Sequence, residues 1–173
     1  RGERYKGKVA FHIIKKGKAY NVSYDSLWKK VIEVGKGLSL FSNHSKKPTI
    51  GLLTYNQFNG VLVDLACLSF GFKVVPIPLN STPEHVSYII NHSEISHLFI
   101  CGKIGKKIWG EVKNSHDIIA IDMSEINTTS NYALNWNSFI SSSDTVEEFD
   151  VDHLLAKVDI NDIQTIMYTS GTT

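Results

Sequence analysis

Thr49-Ile50-Gly51-Leu52-Leu53-Thr54, then Phe58 to Phe70, then Lys73-Val74-Val75-Pro76-Ile77 make up the stretch from which the fold is read. The first and third pieces are short and almost wholly apolar, without the polar alternation of a strand that has one wet face. Between them Phe58, Val61, Leu62, Leu65 and Leu68 recur at helical spacing, which predicts an amphipathic helix. Gly71 follows, and a glycine just past a helix takes the left-handed conformation that ends it. Strand, helix, strand, with both strands apolar on both faces, implies a parallel pair joined by a right-handed crossover and covered on each side.

The pattern repeats outward. Thr82-Pro83-Glu84 is a helix start, with a capping hydroxyl, a proline at the first helical position and an acid in the first turn. That helix runs to about Ser93 and buries Val86, Ile89 and Ile90; Leu98 to Cys101 follows as a strand, Ile104 to Val112 as a helix and Ile118 to Ile121 as another strand. Toward the N-terminus, Val9 to Ile14 and Ala19 to Val22 flank Lys16-Gly17-Lys18, which reads as an opening hairpin. Ser23 then caps a helix whose stripe is Leu27, Val31, Val34, Leu38 and Phe41. The fold class is therefore α/β, a doubly wound and mostly parallel sheet with flanking helices, its core at about residues 48–123. Residues 124–150, rich in Ser, Asn and Thr, are expected to form an irregular connection with a helical turn or two near Trp136. Residues 151–173 are expected to hold a linker, a last strand over Ile163 to Met167 that is buried, and the start of a loop.

Composition narrows the function classes. The chain has 173 residues and a formal net charge of +1, with short, scattered lysine clusters at Lys15-Lys16-Gly17-Lys18, Lys46-Lys47 and Lys103 to Lys107. Nucleic-acid binding needs a concentrated basic face, and none is written here. No apolar run reaches the ~20 residues of a membrane-spanning helix, which leaves peripheral membrane association open. Cys67 and Cys101 both sit in apolar runs and read as reduced, buried thiols. Sequons at Asn21, Asn43, Asn80, Asn91 and Asn127 come without a signal peptide and carry little weight.

The candidate chemistry lies in Tyr168-Thr169-Ser170-Gly171-Thr172-Thr173. Glycine lets backbone amides approach an anion closely, and hydroxyls donate to phosphate oxygens. Following a strand, such a run has the order of parts of a phosphate-cradling loop; taken alone it is an ordinary polar segment. No Walker-type Gly-x-x-x-x-Gly-Lys-Ser/Thr run occurs. The seven histidines show no metal-ligand spacing, so no metal site is expected in the chain. Asp159 and Asp162 are expected to cap the turn before the last strand. Asn56, at a strand-to-helix turn, could face a ligand at the carboxyl edge of the sheet, with helix capping the plainer role. Phe58, Phe70 and Phe72 could line an acyl tunnel but have the spacing of core residues.

Several segments carry a resemblance. Ile50 to Asn56, Val63-Asp64-Leu65-Ala66-Cys67, Gly71 to Pro76 and Thr82 to Glu94 look like the adenylate-forming acyl-CoA synthetase superfamily, the AMP-binding enzymes, in that family's order. Ile166 to Thr173 resembles the start of its phosphate-loop signature, and Tyr88-Ile89-Ile90-Asn91-His92 is most similar to long-chain fatty acid–CoA ligases. The resemblance implies a two-step reaction. A fatty acid carboxylate attacks the α-phosphate of ATP, pyrophosphate leaves, and coenzyme A displaces AMP from the acyl-adenylate. It implies ATP-phosphate contacts at Thr169, Ser170, Gly171, Thr172 and Thr173, with Mg2+ as cofactor and its ligands elsewhere. It also implies an intracellular protein, cytoplasmic or on the cytoplasmic face of a membrane. At the turn after Asn56 this chain has Gln57-Phe58-Asn59 where the family often has a basic residue, proline and glutamate, so no role carries over there.

Residues 1–173 are thus expected to form the N-terminal portion of an AMP-binding domain, with no catalytic residue of their own. In the family the loop continues with glycine, proline and lysine. A hydrogen bond to a charged group is worth ~1.5–3 kcal/mol net, and even millimolar affinity requires ~4 kcal/mol. The portion alone is therefore expected to bind ATP poorly and to lack ligase activity. Two other readings stay open: an adenylation domain for an amino or aryl acid, and a non-catalytic α/β module that binds a partner or small ligand.

Overall fold

A computed structural model of the chain describes residues 5–15, 17–42, 47–124 and 134–169. The chain opens with an antiparallel hairpin, β1 (Val9–Lys15) and β2 (Lys18–Ser23), in which Ile13 pairs with Tyr20. Ser23 then caps α1 (Tyr24–Ser39), its hydroxyl accepting from the Ser26 amide at 3.2 Å. Leu27, Val31, Val34 and Leu38 are buried as the periodicity predicts.

The central sheet follows: β3 (Thr49–Leu53), α2 (Phe58–Phe70), β4 (Lys73–Pro76), α3 (Pro83–His92), β5 (Ile95–Ile100), α4 (Gly102–Val112), β6 (Ile119–Asp122) and β7 (Leu134–Asn135). After it come α5 (Trp136–Ser142) and α6 (Val151–Ala156). The spatial order is β4-β3-β5-β6-β7, parallel throughout. The order reverses at β3, whose neighbours are the next two strands in sequence.

Successive strand residues point to opposite faces, and both faces are dry. Ile50, Leu52, Val74, Phe99 and Ile121 pack beneath α1, α2 and Phe139 of α5. Leu53, Val75, Leu98, Ile100 and Ala120 pack beneath α3 and α4. This is why the strands read as continuous apolar runs. Gly51 marks the tightest point between β3 and β5: a Cβ there would lie 2.6 Å from Leu98 Cδ1. Gly71 ends α2 at φ 70°, the left-handed conformation expected of it.

Three local expectations change. Residues 151–156 form α6, a helix the sequence reading passed over as linker; Asp150 caps it by accepting from the His153 amide. Gln57, not Asn56, caps α2, accepting from the Asn59 amide. The last strand is not buried. It joins the sheet through one bridge, Thr165 to Val74, and Ile163 and Met167 are 65% and 75% exposed. Its backbone pairs with β4 alone among the described residues, through Val74 N to Gln164 O (2.9 Å) and Ile166 N to Val74 O (3.0 Å). The turn before it is held as expected: the Asp162 carboxylate accepts from the Asp159 amide and Asp159 accepts from Asn161.

Candidate phosphate site and the crevice of the sheet

An open α/β sheet offers a ligand crevice outside the carboxyl ends of its strands where the strand order reverses. Here that point lies between β3 and β5. A crevice of about 990 Å³ opens there, between the hairpin and the sheet. Phe11, His12 and Ile13 of β1 form one wall, and Tyr55, Asn56 and Gln57 of the β3–α2 turn form another. Cys101 and Gly102 after β5, and Met123 and Ser124 after β6, complete it. Phe58 also lines it, edge-on to Phe11 at 6.0 Å, whereas Phe70 and Phe72 are core. No lysine, arginine or carboxylate stands among the described lining residues. Such walls suit an apolar or neutral group and do not fit a triphosphate, whose charge calls for cations or converging amides.

The strand that leads to the phosphate-loop candidate pairs with the other side of β4. The bridge to Val74 is parallel, so Thr165 to Thr169 run toward the same carboxyl edge. Thr169 is exposed. Ser170, Gly171, Thr172 and Thr173 lie outside the described residues. Tyr168, one residue before the loop, is tied down. Its hydroxyl lies 2.7 Å from His92 Nδ1 and 2.6 Å from Ser93 Oγ. Its ring stands edge-on to His85, Tyr88 and His92, residues of one face of α3. Sequence reasoning had no signal for this clamp, whose partners are 75 and 76 residues apart.

The ionisable groups elsewhere serve the fold. Asp122 ends β6 with its side chain 3% exposed, accepting from Lys106 Nζ at 2.6 Å and from the Ser124 amide and hydroxyl. Burial pushes its pKa up, but the bonds from Lys106 and Ser124 outweigh that and hold the carboxyl below its usual value. His97, inside β5, stacks on Phe41 with ring centres 4.0 Å apart, and burial lowers its pKa to about 4. Cys67 is fully buried, and desolvation first, then nearby Asp64, pushes its thiol well above the usual range. Neither cysteine is bonded to another. Among the described residues no three His, Cys, Asp or Glu side chains converge to hold a metal ion.

The sequence pattern of the AMP-binding enzyme family matches residues 1–173. The chain belongs to that family. Its fold is that of solved AMP-binding enzymes. An acyl-CoA synthetase from Brucella canis superposes with a TM-score of 0.78 at 16% identity, over 98% of this chain and 30% of its own. Coronafacic acid ligase from Pectobacterium brasiliense gives 0.75 at 21% identity, over 96% and 31%. The A domain of a carboxylic acid reductase from Segniliparus rugosus, solved with AMP and a carboxylic acid, gives 0.60 at 11% identity, over 81% and 27%. No curated protein sequence matches the chain. The chain thus spans about a third of the structures it resembles. No helix among the described residues is long and apolar enough to cross a membrane.

Proposed function

We propose that this AMP-binding enzyme chain is the N-terminal, phosphate-loop-bearing part of an ATP-dependent ligase that activates a long-chain fatty acid as its acyl-adenylate and transfers it to coenzyme A. The observation that carries the reading is the family match together with the strand through Thr165, which runs toward the carboxyl edge of the sheet and is followed in sequence by Thr-Ser-Gly-Thr-Thr. The long-chain assignment rests on the likeness of Tyr88 to His92 to such ligases.

In this reading Thr169, Ser170, Gly171, Thr172 and Thr173 hold the ATP phosphates. Bound ATP, with Mg2+, supplies the α-phosphate that the carboxylate attacks. The chain's own contribution is electrostatic. Glycine would admit the phosphates close to the backbone, and the loop's amides and hydroxyls would meet the charge that develops on departing pyrophosphate. Tyr168 fixes the point at which the loop leaves the sheet. In this reading the Mg2+ ligands lie elsewhere in the enzyme; among the described residues no three His, Cys, Asp or Glu side chains converge. The protein works inside the cell, in the cytoplasm or on the cytoplasmic face of a membrane, where ATP and coenzyme A are available.

The test is thioester formation by the complete protein carrying this chain. Mass spectrometry would follow CoA consumption with ATP, Mg2+ and a panel of long-chain fatty, short-chain, aryl and amino acids. The reading expects a long-chain acyl-CoA and AMP as products. A thioester or adenylate formed only with an aryl or amino acid would overturn the substrate assignment while keeping the chemistry.

A further inference from the structure

We propose that Tyr168 is the positioning residue of the phosphate loop, holding its first residue in place through a clamp on the end of α3; the proposal rests on reading Thr169–Thr173 as that loop. The chain around it is loosely attached. Ile160, Ile163 and Met167 are 98%, 65% and 75% exposed, and the strand joins the sheet by a single bridge. Tyr168 is different. Ile166 and Tyr168 are the apolar side chains of this strand that turn inward, against the core beneath α3 and α4.

The clamp has an apolar and a polar half. His85, Tyr88 and His92 follow one another along α3, and the Tyr168 ring meets each edge-on at 6.5, 6.2 and 5.9 Å. That geometry sets the positive ring edge of one partner against the negative face of the other. The hydroxyl then reaches the last turn of the helix. The hydroxyl can donate to one of these partners and accept from the other, which uses both its capacities. Ser93 is a firm anchor, 6% exposed, the C-cap of α3 and followed by Glu94 at φ 53°.

A loop whose first residue is fixed has less conformational entropy to lose when a nucleotide orders it. Without the clamp, that ordering has to be driven by the nucleotide itself. The cost falls on ATP affinity and leaves both the acid site and the rate at saturating ATP nearly unchanged.

The experiment is acid-dependent ATP–pyrophosphate exchange by the complete protein, wild type against Tyr168→Phe, Ser93→Ala and the double variant. Tyr168→Phe keeps the ring and removes the hydroxyl. The proposal expects KM for ATP to rise about five- to tenfold. It expects kcat, KM for the acid and the thermal midpoint to stay close to wild type. Ser93→Ala added to Tyr168→Phe should cost little more, because both remove the same interaction. An unchanged KM for ATP overturns the clamp, and so does a parallel rise of both KM values with a falling thermal midpoint. If the wild type exchanges no pyrophosphate with any acid, the functional reading has failed rather than the clamp. Amide hydrogen exchange of residues 169–173 then decides: faster exchange in Tyr168→Phe supports the clamp, and equal exchange refutes it.

Discussion

Acidification should weaken this fold through His97, and the effect can be worked out from the structure. His97 is 7% exposed in β5, the middle strand of the sheet, paired in register with Ile50 on one side and Ile119 on the other. Phe41 covers its ring at 4.0 Å, with the planes 15° apart, and Ser96 Oγ lies 2.9 Å from Nδ1. Charging the ring there means taking an imidazolium out of water, so burial lowers its pKa from the ordinary 6.5 to about 4. Between those values the unfolded chain takes up the proton and the folded chain does not. The stabilisation is complete above pH 6.5 and drains away as pH falls toward 4, at about 1.4 kcal/mol per pH unit. The loss is about 2 kcal/mol by pH 5 and about 3 kcal/mol by pH 4. The assay is urea unfolding of wild type and His97→Gln at pH 7.5, 6, 5 and 4, with the difference between the two profiles isolating this residue from the carboxylates. Parallel profiles would refute the argument, since they would mean that His97 is protonated alike in both states.

Two further perturbations test the packing. Asp122→Asn keeps an acceptor for Ser124 but removes the charge facing Lys106, whose side chain is 26% exposed and can partly rehydrate; a loss of about 2 kcal/mol in urea unfolding is expected near neutral pH. The loss should shrink in strong acid, because the stabilisation of a carboxyl whose pKa is lowered on folding is present above its ordinary value and disappears as pH falls through the folded one. Phe139→Ala removes a fully buried ring that meets Phe99 at 5.1 Å and Phe41 at 5.7 Å and lies against Gly37. It should cost about 3–5 kcal/mol by the same assay, and a loss under 1 kcal/mol would mean the site collapses around the gap.

The sheet was legible because burial on both faces leaves an unmistakable trace in sequence. Ile50 and Leu52 face one core and Leu53 the other, so after Thr49 the strand has no polar position. Helix ends were legible where one side chain decides them: Ser23 and Thr82 cap their helices, and Gly71 ends α2. What escaped was set by distant partners or by chain lengths too short for a period to show. The six residues of α6 span too few turns to display a stripe. The apolar run Ile163 to Met167 reads as buried, yet apolar content does not say how many neighbours a strand has, and this one pairs with β4 alone among the described residues. Asp122 reads as one dispersed acid among several until the fold brings Lys106 to it. The candidate loop is read from its motif alone, whereas the contacts of Tyr168 depend on α3, far away in sequence.

The central claim is that this chain carries the phosphate loop of an enzyme that makes acyl-adenylates from long-chain fatty acids. Acid-dependent exchange of labelled pyrophosphate into ATP by the complete protein tests it most directly, because exchange reports adenylate formation without requiring the thiol step. The account predicts exchange that requires a long-chain fatty acid and Mg2+. A pure, folded protein that exchanges no pyrophosphate with any carboxylic acid would contradict it.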